Sequence, residues 1–282
     1  KGYIDVKKEW LIEAIKCHHN EIVNYLNQDE QFSINFSDIC KTYNFLQFQK
    51  EHINQSNFTN FCIYDYISIA EFFITITNID VNNPFSNDVG CTPLNNAIMY
   101  HNNEIVQLLL QCNSIDVNMR SIGDEGNTPL YSAISIENIE IVKILLNCKN
   151  IDVNKESIEY INRIRKKRGL QPNISNTPLN KAIELQNVEI VKLLLKCKDI
   201  DVNKKSIMYR DTSLFKQEKT PLCSAIKLQN TDIIKLLLKH KKIDVNAKSI
   251  ISYGENTSEG EITPLYQAIQ MENIEIVQLL LE

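Results

Sequence analysis

The sequence predicts an all-α fold, a solenoid of stacked helix-turn-helix units. Three observations predict it. The tripeptide TPL recurs at Thr92, Thr128, Thr177, Thr220 and Thr263. Each of these threonines is followed twelve residues later by a glutamate or aspartate and then by a run such as IVQLLL. Four of the five copies close on IDVN, ending at Asn118, Asn154, Asn203 and Asn246. A fixed period of this kind marks units that cannot bury their apolar faces alone and do so by stacking.

Each element of the unit follows from local chemistry. Threonine is a favoured N-cap, and proline at the first helical position loses no hydrogen bond, so TP opens a helix. In TPLYSAI, Leu130, Ala133 and Ile134 share one face. A second helix starts at Asn138, an N-cap residue, with Glu140 in the first turn against the positive end of the helix dipole. Ile141, Leu145 and Leu146 give that helix its buried face. Helices this short are marginal in water, since isolated ones need about 12 residues or more, so stacking is obligatory.

TPLxxA, an acidic residue, a Leu-rich second helix and DVN together resemble the ankyrin repeat, and five copies agree at many positions. The resemblance implies helix pairs linked by β-turn or hairpin fingers, and a face of fingers and first helices that grips partner proteins. Two departures stand out. The family's glycine in the inter-helix turn is His101, Glu137, Gln186, Gln229 and Glu272 here, and the glycine before DVN is replaced, with one residue added. Helix ends are therefore expected to shift by a residue or so.

The N-terminal third carries two degenerate units. WLIEAIKCHHNEIVNYL from Trp10 aligns without gaps on PLNNAIMYHNNEIVQLL from Pro93, and the segment ending in IDVN at Asn82 places Phe58, Phe61, Phe72 and Phe73 at apolar positions. The organisation expected is one array over residues 1–282: degenerate repeats at 8–35 and 56–82, an inserted finger at 36–55, and clearer repeats starting near 91, 127, 176, 219 and 262, the last truncated. The ends read as cuts in a longer array, so a catalytic domain outside this chain stays open as an alternative.

Formal charge is −5, which gives the chain as a whole no electrostatic reason to seek nucleic acid or an acidic membrane. The most apolar stretch, Phe61 to Ile76, falls short of the roughly 18 residues of a membrane span and is broken by Asp65 and Glu71. Of eight cysteines, Cys112, Cys148 and Cys197 recur at one place in successive units. Equivalent atoms in stacked repeats stand roughly 10 Å apart, beyond the ~7 Å Cα limit of a disulfide, so free thiols in the cytoplasm or another reducing compartment are expected.

Function is expected in the fingers. Between the DVN asparagine and the next TPL lie 9 residues after Asn82 and Asn118, 22 after Asn154, and 16 after Asn203 and Asn246. Unequal loops on a rigid scaffold are where binding residues gather. The longest, KESIEYINRIRKKRGLQPNIS, carries Arg163, Arg165, Lys166, Lys167 and Arg168. It reads as an anchor for an acidic protein surface, as a binder of an anionic ligand, as a nuclear address, or as a solvated charged loop. Tyr160, Tyr209, Arg210, Phe215 and Tyr253 supply the Tyr/Arg chemistry of hot spots, or pack finger on finger. A second stripe, Tyr100, Ile136, Leu185, Leu228 and Met271, lies about 100° from the core face and either borders a groove or covers the neighbouring helix. Cys17, His18 and His19 lack a second ligand pair at zinc spacing. No catalytic, cofactor or metal motif is present, so the expectation is a monomeric, non-enzymatic module that docks a protein partner.

Overall fold

The computed structural model describes residues 55–76, 79–84, 90–122, 125–159, 174–209, 215–253 and 260–282. The expected repeat at 8–35 and all but Gln55 of the inserted finger at 36–55 lie outside them. Helices come in pairs: α1 (Gln55–Tyr64) and α2 (Ile67–Ile76), α3 (Pro93–Met99) and α4 (Asn103–Leu110), α5 (Pro129–Ser135) and α6 (Ile139–Leu146), α7 (Pro178–Glu184) and α8 (Val188–Leu195), α9 (Pro221–Lys227) and α10 (Thr231–Leu238), and α11 (Pro264–Gln270) and α12 (Ile274–Leu281). First helices pack on first helices and second on second along the stack.

The caps form as the residue types require. Each TPL threonine is extended and its Oγ1 accepts the N–H three residues on, at 3.2–3.3 Å. Asn138, Asn187, Asn230 and Asn273 cap the second helices in the same way at 3.1 Å. Asn102 instead turns its amide to the Cys62 and Ile63 carbonyls, tying the degenerate pair α1–α2 to the next unit.

The inter-helix turn keeps the left-handed residue that a glycine would supply. His101, Glu137, Gln186, Gln229 and Glu272 sit at φ between 52° and 60°, and Asp65 does the same in the degenerate unit. The left-handed conformation is thus adopted although a side chain stands at this position in each of these turns.

The core repeats with the sequence. Leu130, Ala133 and Ile134 of α5, and Ile141, Val142 and Leu145 of α6, are at most 1% exposed, and so are their counterparts in α7–α8 and α9–α10. Leu146 is only half-buried; Val142, next to Ile141 on the inward face, is buried in its place. In the degenerate unit, Phe58, Phe61 and Phe73 fill the same layer, with the Phe61 and Phe73 rings edge-on at 4.9 Å. The side chain of Phe72 lies outside the description.

The all-α expectation needs correction. The fingers are not only turns: β1 (Glu125–Gly126), β2 (Ser157–Glu159), β3 (Ile174–Asn176), β4 (Ser206–Tyr209), β5 (Phe215–Lys219), β6 (Ser249–Tyr253) and β7 (Gly260–Ile262) form one antiparallel sheet in sequence order. Two strands come from one finger and the next two from its neighbour, so the repeat spacing of the helices sets the strand spacing. The recurring serine after DVN anchors two of the finger bases. Ser157 Oγ accepts the Thr128 N–H at 2.9 Å, and Ser249 Oγ the Thr220 N–H at 3.1 Å. Gly126 is required by close approach, because a Cβ there would lie 2.5 Å from Ile158 Cγ1.

Candidate functional site

Helix and strand layers meet along a groove. The register aligns Glu159 with Ile174, Ile174 with Met208, and Met208 with Gln217, one row across β2 to β5. Strand residues alternate between faces, so this row shares a side of the sheet. The neighbouring row carries Glu218, whose carboxylate takes both Lys205 and Lys216, and Glu261, paired with Lys248.

Opposite the row stand the first helices, and between them lies a cavity of about 220 Å³. Met99 of α3, Tyr131 and Ser135 of α5, Lys181 of α7, Ile158, Glu159 and Ile174 line it. Met99 is 46% exposed. The Lys181 ammonium sits 5.7 Å from the centroid of the Tyr131 ring, within cation–π reach. Glu159 makes no side-chain hydrogen bond or ion pair among the described residues.

The groove continues past Ile174 into a smaller hollow of about 20 Å³ beside Asn176, Glu184, Met208, Gln217 and Lys219. Asn176 Nδ2 donates to Glu184 Oε2 at 3.0 Å. Glu184 is exposed as a residue, but its carboxyl turns inward to this contact, and burial pushes it above the usual carboxylate range against the pull of Lys181, Asn176 and Lys219. Burial also pushes the Lys219 ammonium below the usual lysine range; nearby Lys227 adds to this and Glu184 opposes it.

A larger, open depression of about 530 Å³ lies elsewhere, against Cys112, Asp116, Asn118 and Cys148. Its walls are the IDVN turns that recur in each unit, so it belongs to the scaffold. Burial raises the thiols of Cys62, Cys112, Cys148 and Cys197, which disfavours thiolate chemistry at these four. Among the described residues no cluster could hold a metal ion, and no helix is long and apolar enough to cross a membrane.

The residues singled out in the sequence fall in three places. Tyr160, Arg163, Arg165, Lys166, Lys167, Arg168 and Arg210 lie outside the described residues. Tyr209 pairs with Lys216 across β4 and β5, and Phe215 stands directly opposite Tyr253 across β5 and β6. Tyr100, Ile136, Leu185, Leu228 and Met271 are the C-cap residues of the first helices. Tyr100 is 57% and Leu228 36% exposed, whereas Ile136 and Leu185 pack partly against the core. None of these five lines the cavity. Residues one position earlier do, Met99 and Ser135, together with Tyr131 and Lys181. A signal for them was present: that earlier position reads Met99, Ser135, Glu184, Lys227 and Gln270, changing size and charge in every copy while the next stays apolar.

A solenoid of helix hairpins bearing finger strands, with a groove between the two layers, defines a repeat scaffold. The family model described as ankyrin repeats (3 copies) matches residues 59–157 and 207–282, and the single ankyrin repeat model matches residues 175–207. The chain belongs to the ankyrin repeat family. No curated protein matches it.

Proposed function

We propose that this chain docks a protein partner in the groove between its first helices and finger strands, with the extended fingers adding contacts. Ankyrin repeats are generally protein–protein interaction modules and typically non-catalytic. One observation carries the docking mode: a helix position that differs in all five copies, Met99, Ser135, Glu184, Lys227 and Gln270, is one whose first three members line the groove. Scaffold positions repeat because packing dictates them; groove positions differ because packing does not. A preordered surface also avoids the ordering cost, about 0.5–1.5 kcal/mol per side chain, that weakens flexible binders.

The test is retention of protein from a lysate of the source cell on three immobilised chains. The first is unaltered, the second carries Ser135→Glu with Lys227→Glu, and the third has Arg163, Arg165, Lys166, Lys167 and Arg168 changed to serine. The groove reading expects a protein that the first and third retain and the second loses. A protein retained equally by the first two, and lost only by the third, would move the docking site to the basic finger.

A further inference from the structure

The geometry points to a partner that anchors in the groove through a tyrosine or tryptophan side chain, its ring in the 220 Å³ cavity and its O–H or N–H donated to Glu159. This rests on the groove reading above.

Size comes first. The cavity is smaller than the roughly 300–1,000 Å³ of small-molecule sites, so it suits one side chain. The adjoining hollow of about 20 Å³ has room for little more than a water-sized group, which needs about 10–15 Å³. A partner segment therefore seats one large side chain at this point and passes over the hollow.

Chemistry then selects the side chain. Met99, Tyr131 and Ile174 offer apolar walls, and a thioether beside an aromatic ring is itself a favourable contact. The walls also carry a carboxylate, Glu159, without a side-chain partner among the described residues, and an ammonium, Lys181, already held over Tyr131. An aliphatic anchor would strip water from Glu159 and return no hydrogen bond. An acidic anchor would meet the charge of Glu159, and a basic one the charge of Lys181. An aromatic ring with a donor at its tip fills the walls and satisfies the carboxylate without adding charge.

The experiment is selection of a phage-displayed random peptide library on the whole chain, followed by affinities of the selected peptides for three variants. Ser135→Trp fills the cavity from within, Glu159→Ala removes the acceptor, and Lys227→Glu alters the same helix position two repeats further along. Thermal melting of each variant checks that it folds, and Met99→Glu replaces Ser135→Trp if that variant does not. The expected result is enriched peptides sharing a tyrosine or tryptophan, with affinity lowered about tenfold or more by the cavity variant, as for an interface hot spot, and less by Glu159→Ala. Peptides that weaken on Lys227→Glu but lack a shared tyrosine or tryptophan, or bind the cavity variant unchanged, overturn the anchor and leave the groove reading standing. Peptides indifferent to every groove substitution, or a selection that enriches none, overturn both.

Discussion

One asparagine joins two repeats at Asn154. Its Nδ2 donates to the Asp199 carbonyl at 2.7 Å while its Oδ1 accepts the Asp201 N–H at 2.8 Å. Asn82, Asn118 and Asn203 make the same pair of bonds to their following units. The rest of the motif has its own work: Asp152 Oδ1 accepts the Asn154 N–H at 2.9 Å, closing a side-chain turn, and Val153 is buried. Aspartate could not replace the asparagine, because the Asp199 carbonyl needs a donor. Asn246 closes the same turn through Asp244 but bridges to nothing among the described residues. Asn154→Ala is therefore expected to cost about 1–3 kcal/mol, two net hydrogen bonds, with the Asp199 carbonyl and the Asp201 N–H left to water. Asn246→Ala should stay within about 0.5 kcal/mol. Urea denaturation of the two variants measures the difference; equal losses would mean that the motif acts within its own turn and not between repeats.

At the scale of the element, the inter-helix turn shows how a substituted glycine is compensated. A side chain in the left-handed region costs about 1–2 kcal/mol. Here the side chain that bears this cost also contacts the next unit: Glu137 accepts from Asn187 Nδ2 at 2.9 Å, Gln186 from Asn230 and Gln229 from Asn273 at 3.3 Å. Gln186→Gly should then be close to neutral, relief of strain offset by the lost bond and the freer unfolded chain. In an Asn230→Ser background, where the cap survives and the amide donor is gone, the same change should stabilise, with a coupling of about 0.5–1 kcal/mol. Urea midpoints of the four chains give that coupling, and a value near zero would show the inter-repeat bond to be idle. This turn was half legible in the sequence: the missing glycine was visible, its compensating partner some 44 residues away was not. The same division runs through the fold. TP, the capping asparagines and the apolar spacing are local signals and mark the helices. The strands span two to five residues, too few for an alternation to show, and β1–β2, β3–β4 and β5–β6 each pair one finger with the next. The line of the cavity was not legible for a related reason: a wheel drawn for one hairpin cannot say where the finger sheet will lie, so it does not separate the C-cap stripe of Tyr100 and Leu228 from the preceding position of Met99 and Ser135.

At the scale of the whole molecule, stability belongs to interfaces between units, and these differ along the stack. In α7 and α8, flanked by a unit on each side, Leu179, Ala182, Ile183, Ile190, Val191 and Leu194 are all at most 1% exposed. In α11 and α12 the described burial shrinks to Pro264, Ala268 and Ile276, while Ile269, the counterpart of Ile183, is 57% exposed and Ile274 73%. Each unit contacts only its neighbours, so opening one end disturbs the middle little, and local opening free energies should rise from the end inward. Fully burying one Ile is worth about 1.5–3 kcal/mol, and several differ here, so amides of α7 and α8 should exchange with solvent at least about 30-fold more slowly than those of α11 and α12. Native-state hydrogen exchange followed by mass spectrometry resolves the two segments directly. The finger sheet is the one structure that could defeat this expectation, since its strands run continuously from β1 to β7 and could couple the units into a single cooperative block. Equal protection at both places would assign cooperativity to the sheet. A gradient would assign it to the helices, and the fingers would then be free to differ from copy to copy without loss of the scaffold, as a groove that varies residue by residue requires.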